Sequence, residues 1–167
     1  SVLLIYTGGT IGMYKTSEGS LKPFDLDTLS TQIPELNTFD IEINVISIAQ
    51  PIDSSNMSKV VWIQLVEIIE KEFNNYDGFV ILHGSDTMAY TASVLSFMLE
   101  NLNKPVILTG AQLPIGVRRT DAKENIITSI EIAARSNIPE VCVYFEYRLM
   151  RGNRCSKANA EHLSLIH

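Results

Sequence analysis

The chain has 167 residues, of which 46% are hydrophobic and 19% are charged, so it is long and apolar enough for one domain with a buried core. It carries 13 lysine and arginine residues against 19 aspartate and glutamate residues, a net charge of -6. This acidic balance disfavours a nucleic-acid surface and a membrane-surface helix, because both need a basic stripe. The apolar runs are also far shorter than the ~20 residues of a membrane-spanning helix, so we expect no membrane association.

The first quarter of the chain predicts two strands that flank a long polar segment. Val2–Tyr6 is a short apolar run ended by two glycines, which predicts a buried strand. Residues 12–40 are polar and broken by glycine and proline, and they predict a long loop with a short helix near Leu26–Gln32. Ile41–Ile48 alternates apolar and polar residues, which predicts a second strand. A loop this long in a small domain usually covers or binds a ligand.

The rest of the chain alternates predicted helices and strands. Each helix has apolar residues at three- and four-residue spacing, and each strand is a continuous apolar run. The predicted helices are residues 58–74, 87–101 and 121–135, and the predicted strands are Gly78–Leu82, Pro105–Thr109 and Glu140–Glu146.

This order predicts an α/β fold, with a doubly wound, mostly parallel sheet that carries helices on both faces, as in flavodoxin-like and Rossmann-like three-layer domains. Right-handed crossovers place the carboxyl ends of parallel strands on one edge, where ligands bind. The segments that follow the predicted strands are therefore the candidate site: residues 7–10, 50–57, 83–87, 109–112 and 151–157.

These segments are rich in hydroxyls, glycines and a few charges, which are the parts of nucleophilic catalysis. Several common motifs are nevertheless missing. Residues 7–12 form neither GxGxxG nor a phosphate-binding loop, and residues 83–86 do not form GxSxG. The three histidines are not at metal-ligand spacing, and Cys142 and Cys155 form no Cys-x-x-Cys pair, so we expect no metal and no cofactor. Spacing alone predicts a ligand-binding α/β domain and does not specify a reaction.

Four segments, in order and at matching spacing, resemble the signatures of the bacterial-type L-asparaginases. They are Tyr-Thr-Gly-Gly-Thr-Ile-Gly-Met at 6–13, His-Gly-Ser-Asp-Thr-Met-Ala-Tyr-Thr-Ala at 83–92, Thr-Gly-Ala-Gln-Leu-Pro at 109–114, and Arg-Gly-Asn-Arg at 151–154 with Lys157. The resemblance covers nearly the whole chain. The amino-acid sequences of the first two segments resemble the type I, cytoplasmic branch more than the secreted type II branch.

The resemblance implies hydrolysis of L-asparagine to L-aspartate and ammonia through a covalent acyl-enzyme, without metal or cofactor. Carried over to this sequence, Thr7 is the nucleophile, and Ser85, Asp86 and Lys157 form the second catalytic group. A tyrosine in the first loop assists the nucleophile in this family, and Tyr14 is the nearest candidate. Residues 12–30 would then form the lid that excludes water.

The substrate's α-carboxylate and α-amine are expected to be held by Ser54 or Ser55 together with Asp86. Gly84 and Ala111, which follow the third and fourth predicted strands, complete the expected binding residues. The identity of the amide is open, because one methylene changes binding in a pocket by only ~1–3 kcal/mol, so L-glutamine is a second expected substrate.

Two departures from the family bear on activity. Ser85 stands where the family generally has threonine, which keeps the hydroxyl but loses the methyl that restricts its rotamer. Family members are also about twice this length, and a second domain from a neighbouring subunit completes each site. The chain begins at Ser1 without methionine. We therefore expect residues 1–167 to be an incomplete N-terminal catalytic domain, a fragment that forms homo-oligomers and is inactive or weakly active alone.

Two alternatives to an asparaginase stay open at this point. One is the subunit of a tRNA amidotransferase that releases ammonia from glutamine or asparagine. The other is a non-catalytic module that binds an amino acid on the same fold. Substitution of Thr7 by alanine distinguishes the binding module from the two enzymes. It should abolish turnover in an enzyme, but it should leave a binding module unaffected, since only catalysis needs the hydroxyl.

Overall fold

The structure, a computed structural model, describes residues 1–12 and 26–157. One six-stranded sheet has the strand order β2-β1-β3-β4-β5-β6, in which β1 to β5 are parallel and β6 is antiparallel to β5. The strands are β1 (Val2–Gly8), β2 (Ile43–Ile52), β3 (Gly78–Leu82), β4 (Val106–Thr109), β5 (Val141–Phe145) and β6 (Arg148–Arg151). The described helices are α1 (Leu26–Gln32), α2 (Lys59–Glu72), α3 (Met88–Met98) and α4 (Ala122–Arg135).

The helices cover both faces of the sheet and divide the core in two. One cluster packs α1 and α4 against side chains such as Leu4 and Val80, and the other packs α2 and α3 against side chains such as Leu3 and Ile81. Successive residues of a strand point to opposite faces, so a strand buried on both sides must be apolar throughout. This explains the continuous apolar runs of β1, β3, β4 and β5, and the predicted three-layer α/β fold is confirmed.

The polar segment after β1 is more closely packed than the sequence indicated. The predicted helix Leu26–Gln32 is present, but Leu29, Ile33 and Leu36 are buried in the core. Their spacing of four and three residues puts them on one side of α1 and the turn that follows it. The part of the expected lid that is described, residues 26–30, therefore belongs to the domain rather than to an open loop.

The two edge strands, β2 and β6, differ most from the prediction. The second strand continues to Ile52, because it still pairs with β1 after a register shift that leaves Gly8 opposite Ile52. Strand β6 was not predicted, since an exposed edge strand with arginine at both ends has no apolar alternation to reveal it. The two residues before it, Glu146 and Tyr147, both have positive φ, which makes the tight turn that folds β6 back along β5.

The topology brings one crevice to the centre of the sheet edge. From β1 the chain moves outward to β2 and then crosses to β3 on the other side of β1. The carboxyl ends of β1 and β3 therefore lie side by side at the switch point, which is where open α/β sheets bind ligands. In the described part of the chain, no helix is long and apolar enough to cross a membrane.

Candidate active site

Glycines bring three loops into backbone contact at this crevice. Gly8 and Gly9 have φ values of 122° and 83°, which side chains rarely adopt. A Cβ atom on Gly8 would lie 2.1 Å from the Ile52 carbonyl oxygen, and one on Gly9 would lie 2.5 Å from the Gly84 Cα. A side chain on Gly8 or Gly9 would therefore collide with the backbone of β2 or of the loop after β3.

Thr7 lies at the base of the crevice. Its side chain is buried, and its hydroxyl donates a hydrogen bond of 3.0 Å to the carbonyl of Leu82, the last residue of β3. Among the described residues this is the only hydrogen bond of the hydroxyl. The Thr7 oxygen is therefore fixed between β1 and β3, with its proton directed at a carbonyl that lies three residues before Ser85.

Ser85, Asp86 and Lys157 form one cluster, as the resemblance implied. The Lys157 ammonium donates to the Asp86 carboxylate at 2.6 Å and to the Ser85 hydroxyl oxygen at 3.2 Å. The side chain of Lys157 is 15% exposed, whereas that of Asp86 is 62% exposed. The lysine is therefore partly desolvated, while the carboxylate faces the open side of the crevice.

Strand β6 explains how Lys157 reaches residues that precede it by more than 70 positions. After β6 the chain turns at Gly152–Arg154 and packs against α3. A Cβ atom on Gly152 would meet the carbonyl oxygens of Val141 and Ala92, at 2.9 and 3.0 Å. Three residues after this turn, the Lys157 side chain reaches Ser85 and Asp86, which lie just before the start of α3.

The two serines after β2 have different surroundings. Ser54 is buried, its carbonyl accepts a 2.7 Å hydrogen bond from the Thr87 hydroxyl, and a Cβ on Gly84 would lie 2.5 Å from its Oγ. Ser55 is exposed, and both its N–H and its hydroxyl donate to the Asp53 carboxylate. These bonds hold the pKa of Asp53 below its ordinary value, the backbone bond most strongly. Ser54 is thus the serine that lies against Gly84, in the loop after β3.

Ala111 is nearly fully buried, with its methyl group in the apolar core. Any contact with a ligand would therefore fall to its backbone. Two residues that were not expected from the sequence hold this loop: the Asp121 carboxylate accepts from the Gln112 N–H at 2.9 Å, and the Asn125 amide donates to the Gly110 carbonyl at 2.9 Å. Asn125 could have been identified from the sequence, because it is a polar residue on the apolar face of a predicted helix.

Tyr14 and residues 13–25 of the expected lid lie outside the described residues. Over residues 1–12 and 26–157, no group of histidine, cysteine, aspartate and glutamate side chains is arranged to hold a metal ion.

We expect Gly84→Ala to destabilise the domain by about 1–3 kcal/mol, the usual cost of overpacking. Gly84 has no positive φ, so the cost comes from the collision of the new methyl with Ser54, not from the backbone. The double variant Gly84→Ala/Ser54→Gly removes the collision and should recover part of the loss, measured by urea unfolding. If the double variant instead lost as much stability as the two single variants together, residues 54 and 84 would not be in contact.

His83, directly before Gly84, should make the domain sensitive to acid. Burial lowers the pKa of its imidazole from 6.5 to about 4. Between these values the unfolded chain binds a proton that the folded chain does not. Stability is therefore complete above pH 6.5 and falls as the pH drops towards 4, by about 3 kcal/mol.

Urea unfolding at a series of pH values tests this, with His83→Gln as the control because glutamine does not titrate. The variant should lose about 3 kcal/mol less than the parent chain between pH 6.5 and 4. Equal losses in the two chains would contradict the prediction.

Comparisons with known proteins found similar sequences and similar structures. A family model described as "Asparaginase, N-terminal" matches residues 1–167. The chain is 45% identical over 163 residues to L-asparaginase 1 of Escherichia coli (strain K12), covering 96% of this chain and 48% of that protein. It superposes on the crystal structure of L-asparaginase I from Vibrio cholerae O1 biovar eltor str. N16961 with a TM-score of 0.85 and 40% identity, covering 99% of this chain and 50% of the other.

A second kind of protein also matches. The chain is 39% identical over 147 residues to a subunit of the glutamyl-tRNA(Gln) amidotransferase of Pyrococcus abyssi (strain GE5 / Orsay), covering 85% of this chain and 32% of that protein. The chain spans about half the length, or less, of these curated relatives.

Proposed function

The chain belongs to the asparaginase family through its match to the N-terminal domain, and we propose that it hydrolyses the side-chain amide of L-asparagine to L-aspartate and ammonia. One observation carries the proposal: the buried Thr7 hydroxyl and the cluster of Ser85, Asp86 and Lys157 lie at the same switch-point crevice. Covalent hydrolysis of an amide needs a nucleophilic hydroxyl and a neighbouring group that transfers protons, and a second hydroxyl paired with a lysine can be that group.

In the first step, the Thr7 oxygen attacks the carbonyl carbon of the substrate's side-chain amide. The C–N bond breaks, the hydroxyl proton passes to the departing nitrogen, and ammonia leaves an ester on Thr7. In the second step, water attacks the ester carbon, the bond to Thr7 breaks, and a proton returns to the threonine oxygen. The balance is one amide and one water consumed, with one acid and one ammonia produced.

Lys157 prepares Ser85 for proton transfer in these steps. Because the ammonium donates to the Ser85 oxygen, that oxygen acts as an acceptor and its own hydrogen is left to donate elsewhere. A neighbouring positive charge also polarises the serine O–H bond. Tyr14 is proposed, on the resemblance, as the residue that assists Thr7.

The substrate's backbone groups are proposed to bind at the open side of the crevice. Asp86 offers an exposed carboxylate for the α-ammonium group, since only one of its oxygens is bonded to Lys157. Ser54, with Ser55, Gly84 and the backbone of Ala111, is proposed to hold the α-carboxylate. The additional methylene of L-glutamine changes the free energy of substrate recognition by only ~1–3 kcal/mol, so L-glutamine is proposed as a slower substrate.

We further propose that the enzyme acts in the cytoplasm, as the type I branch does, and that a C-terminal domain and a second copy of the chain complete the site. The coverage of about half of L-asparaginase 1 supports the missing domain. Exposed aromatic residues on α3, Tyr90 and Phe97, support self-association.

Ammonia release from L-asparagine and L-glutamine tests the function, measured at enzyme concentrations comparable with the substrate because residues 1–167 are expected to be weakly active. Release from asparagine that exceeds release by the Thr7→Ala variant supports the proposal. Equal release by the two chains, at a rate above that measured without protein, overturns it. Release that appears only when tRNA and the other amidotransferase components are added would favour the amidotransferase alternative, to which the match with the Pyrococcus abyssi protein points.

A further inference from the structure

Three side chains that the proposed mechanism does not use form a largely buried chain of hydrogen bonds beside the loop that follows β3. The indole N–H of Trp62, on α2, donates to the Thr91 hydroxyl, on α3, at 3.0 Å. The Thr91 oxygen lies 2.9 Å from Nε2 of His83, and Nδ1 of His83 lies 2.6 Å from the Gly84 carbonyl oxygen. Both Thr91 and His83 have no exposed surface.

Only one arrangement of hydrogens satisfies every group. The Gly84 carbonyl can only accept, so Nδ1 of His83 carries a proton. Burial keeps the imidazole neutral by lowering its pKa to about 4, so Nε2 has no proton and accepts. The Thr91 hydroxyl therefore donates to Nε2, which leaves its oxygen to accept from Trp62. The donors run in one direction, from Trp62 through Thr91 and His83 to the carbonyl of Gly84.

This direction fixes the orientation of the next peptide group. A glycine restricts its own peptide plane least of all residues, and Gly84 precedes Ser85. The peptide bonds of the described residues are all trans, so the C=O of Gly84 and the N–H of Ser85 lie in one plane and point in opposite directions. With the carbonyl held by His83, the Ser85 N–H points away from the imidazole, and none of the described residues accepts a hydrogen bond from it.

We propose that Trp62, Thr91 and His83 are positioning residues that hold the Gly84–Ser85 peptide so that the Ser85 N–H faces the reacting carbonyl oxygen at Thr7. This inference rests on the proposed function. A backbone N–H held in advance stabilises the charge that develops on that oxygen, and removal of such a donor usually costs about 10²–10³ in rate. A donor that is misaligned rather than removed should cost about tenfold.

The test compares Thr91→Val, which keeps the shape but removes the hydroxyl, with Thr91→Ser, which restores it. Thr128→Val is the matched control, because it removes a threonine hydroxyl that bonds to Glu124 on α4, on the other face of the sheet. Nitrogen-15 NMR of the whole chain follows the ring nitrogens of His83, the Ser85 amide and the indole N–H, which is a single resonance because Trp62 is the only tryptophan.

In the parent chain, His83 should show the neutral form protonated at Nδ1 throughout pH 5.5 to 8. The Ser85 amide resonance should move in Thr91→Val, return in Thr91→Ser and stay in place in Thr128→Val. A His83 protonated at Nε2, or a Ser85 resonance that is the same in folded Thr91→Val and in the parent, would overturn the inference.

Kinetics provide the second readout. In Thr91→Val, kcat should fall about tenfold while KM changes less than threefold, and Thr91→Ser should recover most of the loss, whereas a purely structural role would lower stability and leave kcat per folded molecule unchanged. Unchanged kcat in Thr91→Val would overturn the inference. The NMR readout does not need turnover, so a chain with the predicted His83 and Ser85 signals whose measurable ammonia release equals that of Thr7→Ala would refute only the proposed function.

Discussion

Replacement of Thr7 by alanine should lower ammonia release from L-asparagine by at least about 1,000-fold, because the variant lacks the oxygen that is proposed to attack the amide. Thr7→Ser keeps the oxygen and should retain measurable activity, although the freer rotamer of serine will lower it. The measurement is the initial rate of ammonia release per folded molecule, with substrate binding followed separately. Binding should survive in Thr7→Ala, since the attacking oxygen is not one of the groups proposed to hold the α-carboxylate and α-amine.

The sheet itself provides a matched control for this experiment. Thr109 ends β4 as Thr7 nears the end of β1, it is fully buried, and its hydroxyl donates to the Tyr144 carbonyl at 2.8 Å. Thr109→Ala should therefore lose about the same stability, roughly 1 kcal/mol, as Thr7→Ala. Although Thr109 begins one of the candidate site segments, its variant should keep far more activity than Thr7→Ala, because its hydroxyl has no proposed part in the reaction. If the two variants lost activity equally, the loss would reflect damage to the sheet and not removal of a nucleophile.

Lys157→Met should lower turnover by about 100-fold or more, the usual contribution of a group that moves protons in the transition state. Methionine keeps the apolar stem and removes the ammonium that contacts Ser85 and Asp86. Stability should fall by about 1 kcal/mol or less, because Asp86 is largely exposed and water screens the ion pair. Ammonia release and urea unfolding of the same sample measure the two effects.

Two further lysine variants sharpen the interpretation. Lys157→Arg keeps the charge, but a planar guanidinium cannot place one nitrogen against both partners, so activity should stay low. Lys104→Met removes another partly buried lysine, one that donates to the Phe73 and Tyr76 carbonyls, and should cost stability without loss of activity. Near-parent activity in Lys157→Arg would show that Lys157 supplies only a positive charge.

Much of the fold was predictable because it rests on local patterns. The apolar runs of β1, β3, β4 and β5 require burial on both faces, which implies helices on both sides and a parallel sheet. The limits of β3 were predicted to the residue. The edge of the sheet was harder, because β6 needs only one partner and has no apolar pattern, and the end of β2 depends on a register shift beside Gly8.

The candidate site, like the fold, was predictable from the sequence only in part. The sequence by itself determined that hydroxyls, glycines and charges follow the strands, and parallel strands must gather such segments at one edge. Only the tertiary structure decided which of them touch: Lys157 reaches Asp86 through the return of the chain after β6, and Ser54, rather than Ser55, lies against Gly84. The direction of the hydrogen bonds around His83 is also a tertiary property. It depends on burial and on partners from two helices, and neither is encoded in the spacing of neighbouring residues.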